Sequence, residues 1–197
     1  CPETLPLEKR KDRVHWRSIG RIYLTILENK TFLKAISLSG TGRNMGLVFV
    51  VMAPFVLQEE YHRSALYYGW VCALLGLANI IGLIVNNRLL KTEKSFLWLI
   101  TFGLGLLVSV DIAFVLVTGF MPDQVILFVL LMTIMAFASS FVGVNSSSIA
   151  MNVFDRNIGA VNAVFQTVAV GCAVLLSFIL AHTGDTALHM AWIYSFI

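Results

Sequence analysis

Residues 32–57 read FLKAISLSGTGRNMGLVFVVMAPFVL. The run is apolar over most of its length and long enough for a tilted helix across a hydrocarbon core of about 30 Å. Arg43 sits next to its midpoint, with Asn44 beside it. Insertion scales put an Arg at that depth at roughly 2.5 to 3.5 kcal/mol, and a guanidinium cannot escape the cost by losing its proton. A span carrying this burden is expected to face a polar cavity rather than lipid. The alternative is an Arg packed or ion-paired against a partner helix. Gly40, Gly42, Gly46 and Pro54 also make this span easy to bend.

Outward from that stretch, the pattern repeats. Further apolar segments occupy about 65–86, 95–118, 124–151 and 158–181, and a sixth begins near Thr186. From there to Ile197 the chain is shorter than the roughly 20 residues a bilayer requires. Of the 197 residues, 58% are hydrophobic and 13% charged, whereas soluble domains carry roughly 25% charged residues. The expected fold is therefore an all-α polytopic membrane protein. A polar, basic segment covers residues 1–30, and a transmembrane helix bundle covers 31–197. The chain starts at Cys1 rather than Met, and both ends are expected to be incomplete. Cys72 and Cys172 fall inside apolar runs, so no disulfide framework is implied.

The connections are short: Gln58–Ser64, Asn87–Lys94, Gly119–Asp123, Asn152–Asn157 and His182–Asp185. If residues 1–34 are cytoplasmic, 12 of the 14 Lys and Arg residues lie on that side. Arg63 is then exterior and Arg43 intramembrane. This asymmetry orients the chain by the positive-inside rule.

Polar and small residues recur on helical faces. Gly69, Ala73, Gly76, Asn79 and Asn86 share one face of the second segment, and Ser139, Gly143, Ser147 and Ala150 share one face of the fourth. On the fifth, Asn162, Gln166, Ala169, Ala173 and Ser177 form the clearest stripe. Close helix packing explains small residues in membranes, and buried amides bond across helices. Two amides one turn apart, Asn162 and Gln166, suit a solvated pathway equally well. Asp111, about a turn past the centre of the third segment, is a candidate for proton coupling or for pairing with a donor on a neighbouring helix. His182 and His189 read as interfacial rather than as metal ligands. No phosphate-binding loop, HExxH, CxxC or GxSxG pattern occurs, and Ser146-Ser147-Ser148 has no base nearby. No enzyme activity, cofactor, metal or nucleic-acid partner is expected.

Several short motifs, in order, carry a family resemblance. Pro2-Glu3-Thr4-Leu5 followed by a basic stretch resembles the end of the sixth span and the central loop of drug-efflux members of the major facilitator superfamily. Met52-Ala53-Pro54-Phe55-Val56-Leu57-Gln58 resembles the end of their seventh span. Asn86-Asn87-Arg88-Leu89 with Lys91 resembles the eighth-to-ninth loop of the Bcr/CflA subfamily, and Gly159-Ala160-Val161-Asn162-Ala163-Val164-Phe165-Gln166 the start of the eleventh span. The resemblance implies a twelve-span secondary transporter, of which this chain is the six-helix C-terminal half with its last span truncated. It implies proton-coupled efflux of drugs or other small amphipathic compounds, an antiporter working by alternating access in a bacterial inner membrane. Its implied partners are membrane lipid, the small-molecule substrate, protons and the missing N-terminal half. Cavity helices of that fold include the seventh, eighth, tenth and eleventh. The expected substrate-pathway residues Arg43, Asn44, Asn79, Asn162 and Gln166 all lie on helices of that set. Asp111 falls on the ninth, a peripheral helix. Asn86-Asn87 stands where the superfamily's loop motif has an Asp-Arg pair, which removes the basis for a gate salt bridge there. The alternatives are a proton-coupled metabolite importer of the same superfamily, a channel or a structural membrane component. An intramembrane enzyme ranks last.

Overall fold

The computed structural model describes residues 23–92, 94–154, 158–180 and 186–196, with the backbone alone at 41–43, 158, 173, 176–177 and 179–180. After a short helical stretch at 23–28, six helices follow: α1 (Lys30–Phe55), α2 (Ala65–Leu90), α3 (Phe96–Phe120), α4 (Val125–Asn152), α5 (Ile158–Leu180) and α6 (Ala187–Phe196). No strand occurs among the described residues. Four helical stretches are long and apolar enough to cross a membrane: Lys30–Glu60, α2, α3 and α4. Within α5, Gly159–Cys172 is a shorter apolar stretch. Most of the basic segment 1–30, Asp155 and Arg156 in the fourth connection, and His182 lie outside the described residues.

The starts of three helices follow from local chemistry. Asn29 accepts a hydrogen bond from the Phe32 amide at 3.0 Å, Ser64 one from Tyr67 at 3.2 Å and Ser95 one from Trp98 at 3.2 Å. Each cap satisfies an amide that has no partner inside its own helix. The end of the first span differs from the sequence expectation. The helix does not give way to a loop at Gln58. It continues as a wider π turn over Val56–Glu60, closed by the Tyr61 amide donating to the Val56 carbonyl at 3.0 Å. Pro54 lies within α1 one turn earlier and has no amide hydrogen to give, so the regular ladder is already broken there. His62 then takes φ 50°, and the Arg63 amide bonds to the Leu57 carbonyl at 2.8 Å, reversing the chain.

Helix α4 is the centre of the bundle. It packs against α1, α2 and α3, while α5 lies mainly on α1 and α6 mainly on α3. Phe114 of α3, Phe128 of α4 and Tyr194 of α6 meet with ring centroids 5.3 and 5.9 Å apart. Phe32, Ala35 and Ile36 of α1 form a second core with Val161, Val164 and Phe165 of α5. Two glycines allow the closest helix approaches. A Cβ on Gly82 would meet Ser140 Oγ and, at 2.7 Å, the Phe137 carbonyl, so α2 sits directly on α4. A Cβ on Gly103 would come within 2.9 Å of Phe141 and Val142, so α3 does the same. Next to the first contact, buried Asn86 and Asn145 join α2 to α4 side chain to side chain, Asn145 Nδ2 donating to Asn86 Oδ1 at 2.7 Å. At the other end of the bundle, Glu60 accepts from the Ala187 amide at 2.6 Å, which ties the end of the first span to the start of α6. Outward-facing Leu66, Trp70, Phe120 and Ile126 are all strongly exposed, as side chains that meet lipid would be.

Candidate functional site

The helix ends near Asn29, Leu90 and Ser95 carry Lys30, Lys34, Arg88, Lys91 and Lys94 and define a basic end of the bundle. Between α1, α2 and α4 lie two cavities, one toward each end. The cavity farther from the basic end holds about 290 Å³. Met45, Gly46 and Phe49 of α1, Cys72 and Gly76 of α2, Met132 and Met135 of α4 and Tyr194 of α6 wall it. The cavity nearer the basic end holds about 770 Å³ and is lined by serines, Ser39 from α1 and Ser140, Ser147 and Ser148 from α4, together with Asn152. Asn79 and Ser139 line both cavities.

The junction is built on one backbone carbonyl. Asn79 Nδ2 donates to Ala136 O at 3.2 Å, and Ser139 Oγ donates to the same oxygen at 3.0 Å. Their polar atoms therefore converge from two helices where the cavities meet. Below the junction, Ser39 Oγ is 2.9 Å from Ser147 Oγ, which links α1 to α4 across the serine-lined space. Above it, the Tyr194 hydroxyl donates to the Met45 carbonyl at 3.0 Å and closes the apolar cavity on the α6 side. Among the described residues, neither lining contains an acidic or basic side chain. Thioethers and aromatic rings are polarizable and adapt to varied apolar shapes. The arrangement suits a ligand with a large apolar body and few hydrogen-bonding groups, with polar groups offered at one level and toward the basic end.

The sequence candidates separate in space. Asn79 is at the junction. Arg43 lies on the backbone of α1, and its side chain is outside the described residues. Asn44 beside it is half-buried, and its Oδ1 is a buried acceptor with no partner among the described residues. Asn162 and Gln166 lie on an exposed face of α5 and line neither cavity. Asp111 is on α3, where its Oδ2 accepts from Ser195 Oγ of α6 at 2.9 Å. It opens on a third cavity of about 260 Å³ between α1, α3 and α6.

The small-residue stripes also divide. Gly46, Gly69, Gly76 and Gly143 have nothing among the described residues within 4 Å of where a Cβ would stand, and Gly46, Gly76 and Gly143 line the cavities. Sequence reasoning missed Met45, Met132, Met135 and Tyr194, which look like ordinary apolar positions. The Ser139, Gly143 and Ser147 stripe was the signal for the wall formed by α4.

Residues 2–177 match the family model described as Major Facilitator Superfamily. No curated protein matches the chain.

Proposed function

This chain belongs to the major facilitator superfamily of secondary transporters, and on that footing we propose that it is the C-terminal half of a twelve-span, proton-coupled exporter of drugs or other small amphipathic compounds. The observation that carries the reading is the pair of cavities meeting at Asn79 and Ser139. A transporter that alternates access needs a ligand site near mid-depth with a route to each side, and such a site accounts for polar groups placed at one level between two spaces. The described part of the lining carries no charged side chain, which favours amphipathic cargo. Arg43 and Asn44 on α1 and Asn162 and Gln166 on α5 are assigned to the same pathway, their helices completing its wall against the N-terminal half. The basic end is assigned to the cytoplasm, since that orientation puts 12 of the 14 Lys and Arg residues of the sequence on the cytoplasmic side. The setting is a bacterial inner membrane. The partners are membrane lipid, the substrate, protons and the N-terminal half, with no cofactor and no nucleic acid.

The test uses the complete reading frame that contains these residues, in inside-out membrane vesicles, with ethidium as the probe. An acidic interior should drive ethidium accumulation, a protonophore should abolish it, and Asn79→Leu should reduce it by about tenfold or more, a loss of at least 1.4 kcal/mol. Residues 1–197 alone in proteoliposomes should give no flux, because the site requires both halves. Ethidium movement that ignores the proton gradient, or that is unaffected by Asn79→Leu, would contradict the reading.

A further inference from the structure

Asp111 is the one acidic residue in the six helices α1 to α6. It does not face either cavity of the proposed pathway. It lies in the third cavity, walled by Leu38 and Met45 of α1, Leu104, Leu107 and Val108 of α3, and Tyr194 and Ser195 of α6. Its two oxygens differ. Oδ2 accepts from Ser195 Oγ at 2.9 Å, and Oδ1 is buried without a partner among the described residues. A carboxyl in such surroundings has a place for a proton and a neighbour that registers whether the proton is present.

That neighbour has a choice of acceptor. Ser195 Oγ lies 2.9 Å from Asp111 Oδ2 and 3.3 Å from the Ala191 carbonyl of its own helix, and it has a single hydrogen. Facing a carboxylate, Ser195 donates to Asp111. Facing a neutral acid, it can turn its hydrogen to Ala191 and leave Asp111 to α3. The bond between α3 and α6 therefore depends on the proton. The next residue, Tyr194, bonds to the Met45 carbonyl of α1 at 3.0 Å. Met45 and Tyr194 wall both this cavity and the apolar cavity of the pathway. Neighbouring residues of α6 thus hold the acid on one side and the substrate wall on the other.

We propose that Asp111 is a proton-binding residue of this transporter, and that Ser195 and Tyr194 transmit its protonation to the substrate cavity. The inference rests on the proton-coupled reading above and names the residue that serves it. The proton arrives from water, bonds to Oδ1, and returns to water when access reverses. The other ionisable groups of the packed elements do not replace Asp111 in this role. Helix α4 has none. On α6, Tyr194 is committed to Met45, and His189 is bonded to Thr186 at 2.7 Å. On α1, Lys30 and Lys34 are exposed, and the Arg43 side chain lies outside the described residues.

Infrared difference spectroscopy on the complete transporter in lipid tests the site without any ligand. A pH change should produce a protonated-carboxyl stretching band that disappears in Asp111→Asn and moves in frequency in Ser195→Ala. In inside-out vesicles, ethidium accumulation driven by an acidic interior should fall by about tenfold or more in Asp111→Asn, within the usual span of coupling free energies. Ethidium should still equilibrate down its own gradient in that variant. If Asp111→Asn does not accumulate in membranes, Ser195→Ala decides by shifting the pH midpoint of transport. A band that survives Asp111→Asn, or an unmoved pH midpoint in Ser195→Ala, would overturn the proposal. A wild-type protein that moves no ethidium under a proton gradient would instead overturn the export reading, while the infrared band would still report on Asp111.

Discussion

Helix α2 meets α4 in two ways along one face. Toward the basic end, Gly82 lies against Ser140 and the Phe137 carbonyl, and Asn86 is locked to Asn145. Toward the other end, Gly76 has open space around it, and Asn79 reaches α4 through a single bond to a backbone carbonyl. The same two residue types, Gly and Asn, serve as a lock in one half of the helix and as a cavity wall in the other. Residue type alone does not separate these roles. What separates them is the room beside each position: a Cβ on Gly82 would meet α4, and one on Gly76 would meet nothing among the described residues.

The largest effect expected from this contrast is on glycine replacement. Gly82→Leu would drive a side chain into a backbone carbonyl that cannot move aside. Overpacking ordinarily costs about 1–3 kcal/mol, and this site should exceed that range, so little folded protein should be recovered from membranes. Gly76→Leu should insert and fold normally but fill the cavity and abolish transport. Folded yield by fluorescence-detected size exclusion, alongside ethidium flux, checks both. Equal yields for the two variants would break the comparison.

The amide pair comes next. Asn86→Ala leaves the Asn145 amide with only its bond to the Phe141 carbonyl at 2.7 Å. The loss should be about 1 kcal/mol, since hydrogen bonds between membrane helices average roughly 0.6 kcal/mol and reach about 1.7. The double variant Asn86→Ala with Asn145→Ala should cost less than the two single losses added, as bonded pairs do in double-mutant cycles. Strict additivity in detergent thermal melts would show that the pair is not a lock.

The smallest effect concerns Tyr61, which follows the π turn at the end away from the basic face. Its hydroxyl is buried without a partner among the described residues. Burial first, then the nearby charges of Glu60 and Asp123, push its phenol from 10.0 up to about 12. The folded state therefore keeps the proton more tightly than the unfolded chain. Stability from this source is fully present below pH 10.0 and is lost as pH rises toward about 12. Tyr61→Phe should be neutral or slightly stabilising at pH 7, because a buried unsatisfied hydroxyl is removed, and its melting temperature should fall less between pH 10 and 12 than that of the wild type. A clear loss of stability at neutral pH would mean that the hydroxyl has a partner.

The all-α scaffold was legible from hydropathy. The caps that start α2 and α3, Ser64 and Ser95, were not, since the length of an apolar run does not mark a cap. The continuation of the first span through Val56–Glu60 was hidden, because the polar run after Leu57 resembles a loop and a π turn has no composition of its own. For the site, Asn79 and the serine stripe of α4 could be read from helical spacing. The methionines of the apolar cavity could not, since Met132 and Met135 have the same pattern as core residues. Nor could the lock, since Asn145 lies on a different helix from Asn86 and only the packing of α2 on α4 brings them together. Asn162 and Gln166 share a face as their spacing requires, and that face is exposed rather than turned to the cavities.

Reciprocal accessibility of the two cavities tests the central claim most directly. Gly76→Cys and Gly143→Cys are placed singly in the complete transporter with its native cysteines changed to Ser; each position has open space for the added side chain. On the proposed function, the two cavities are the two halves of one alternating pathway. Conditions that raise maleimide labelling at position 76 should therefore lower it at 143, and ethidium should protect both. Labelling that rises and falls together at the two positions, or that ethidium leaves unchanged, would contradict a pathway through Asn79 and Ser139.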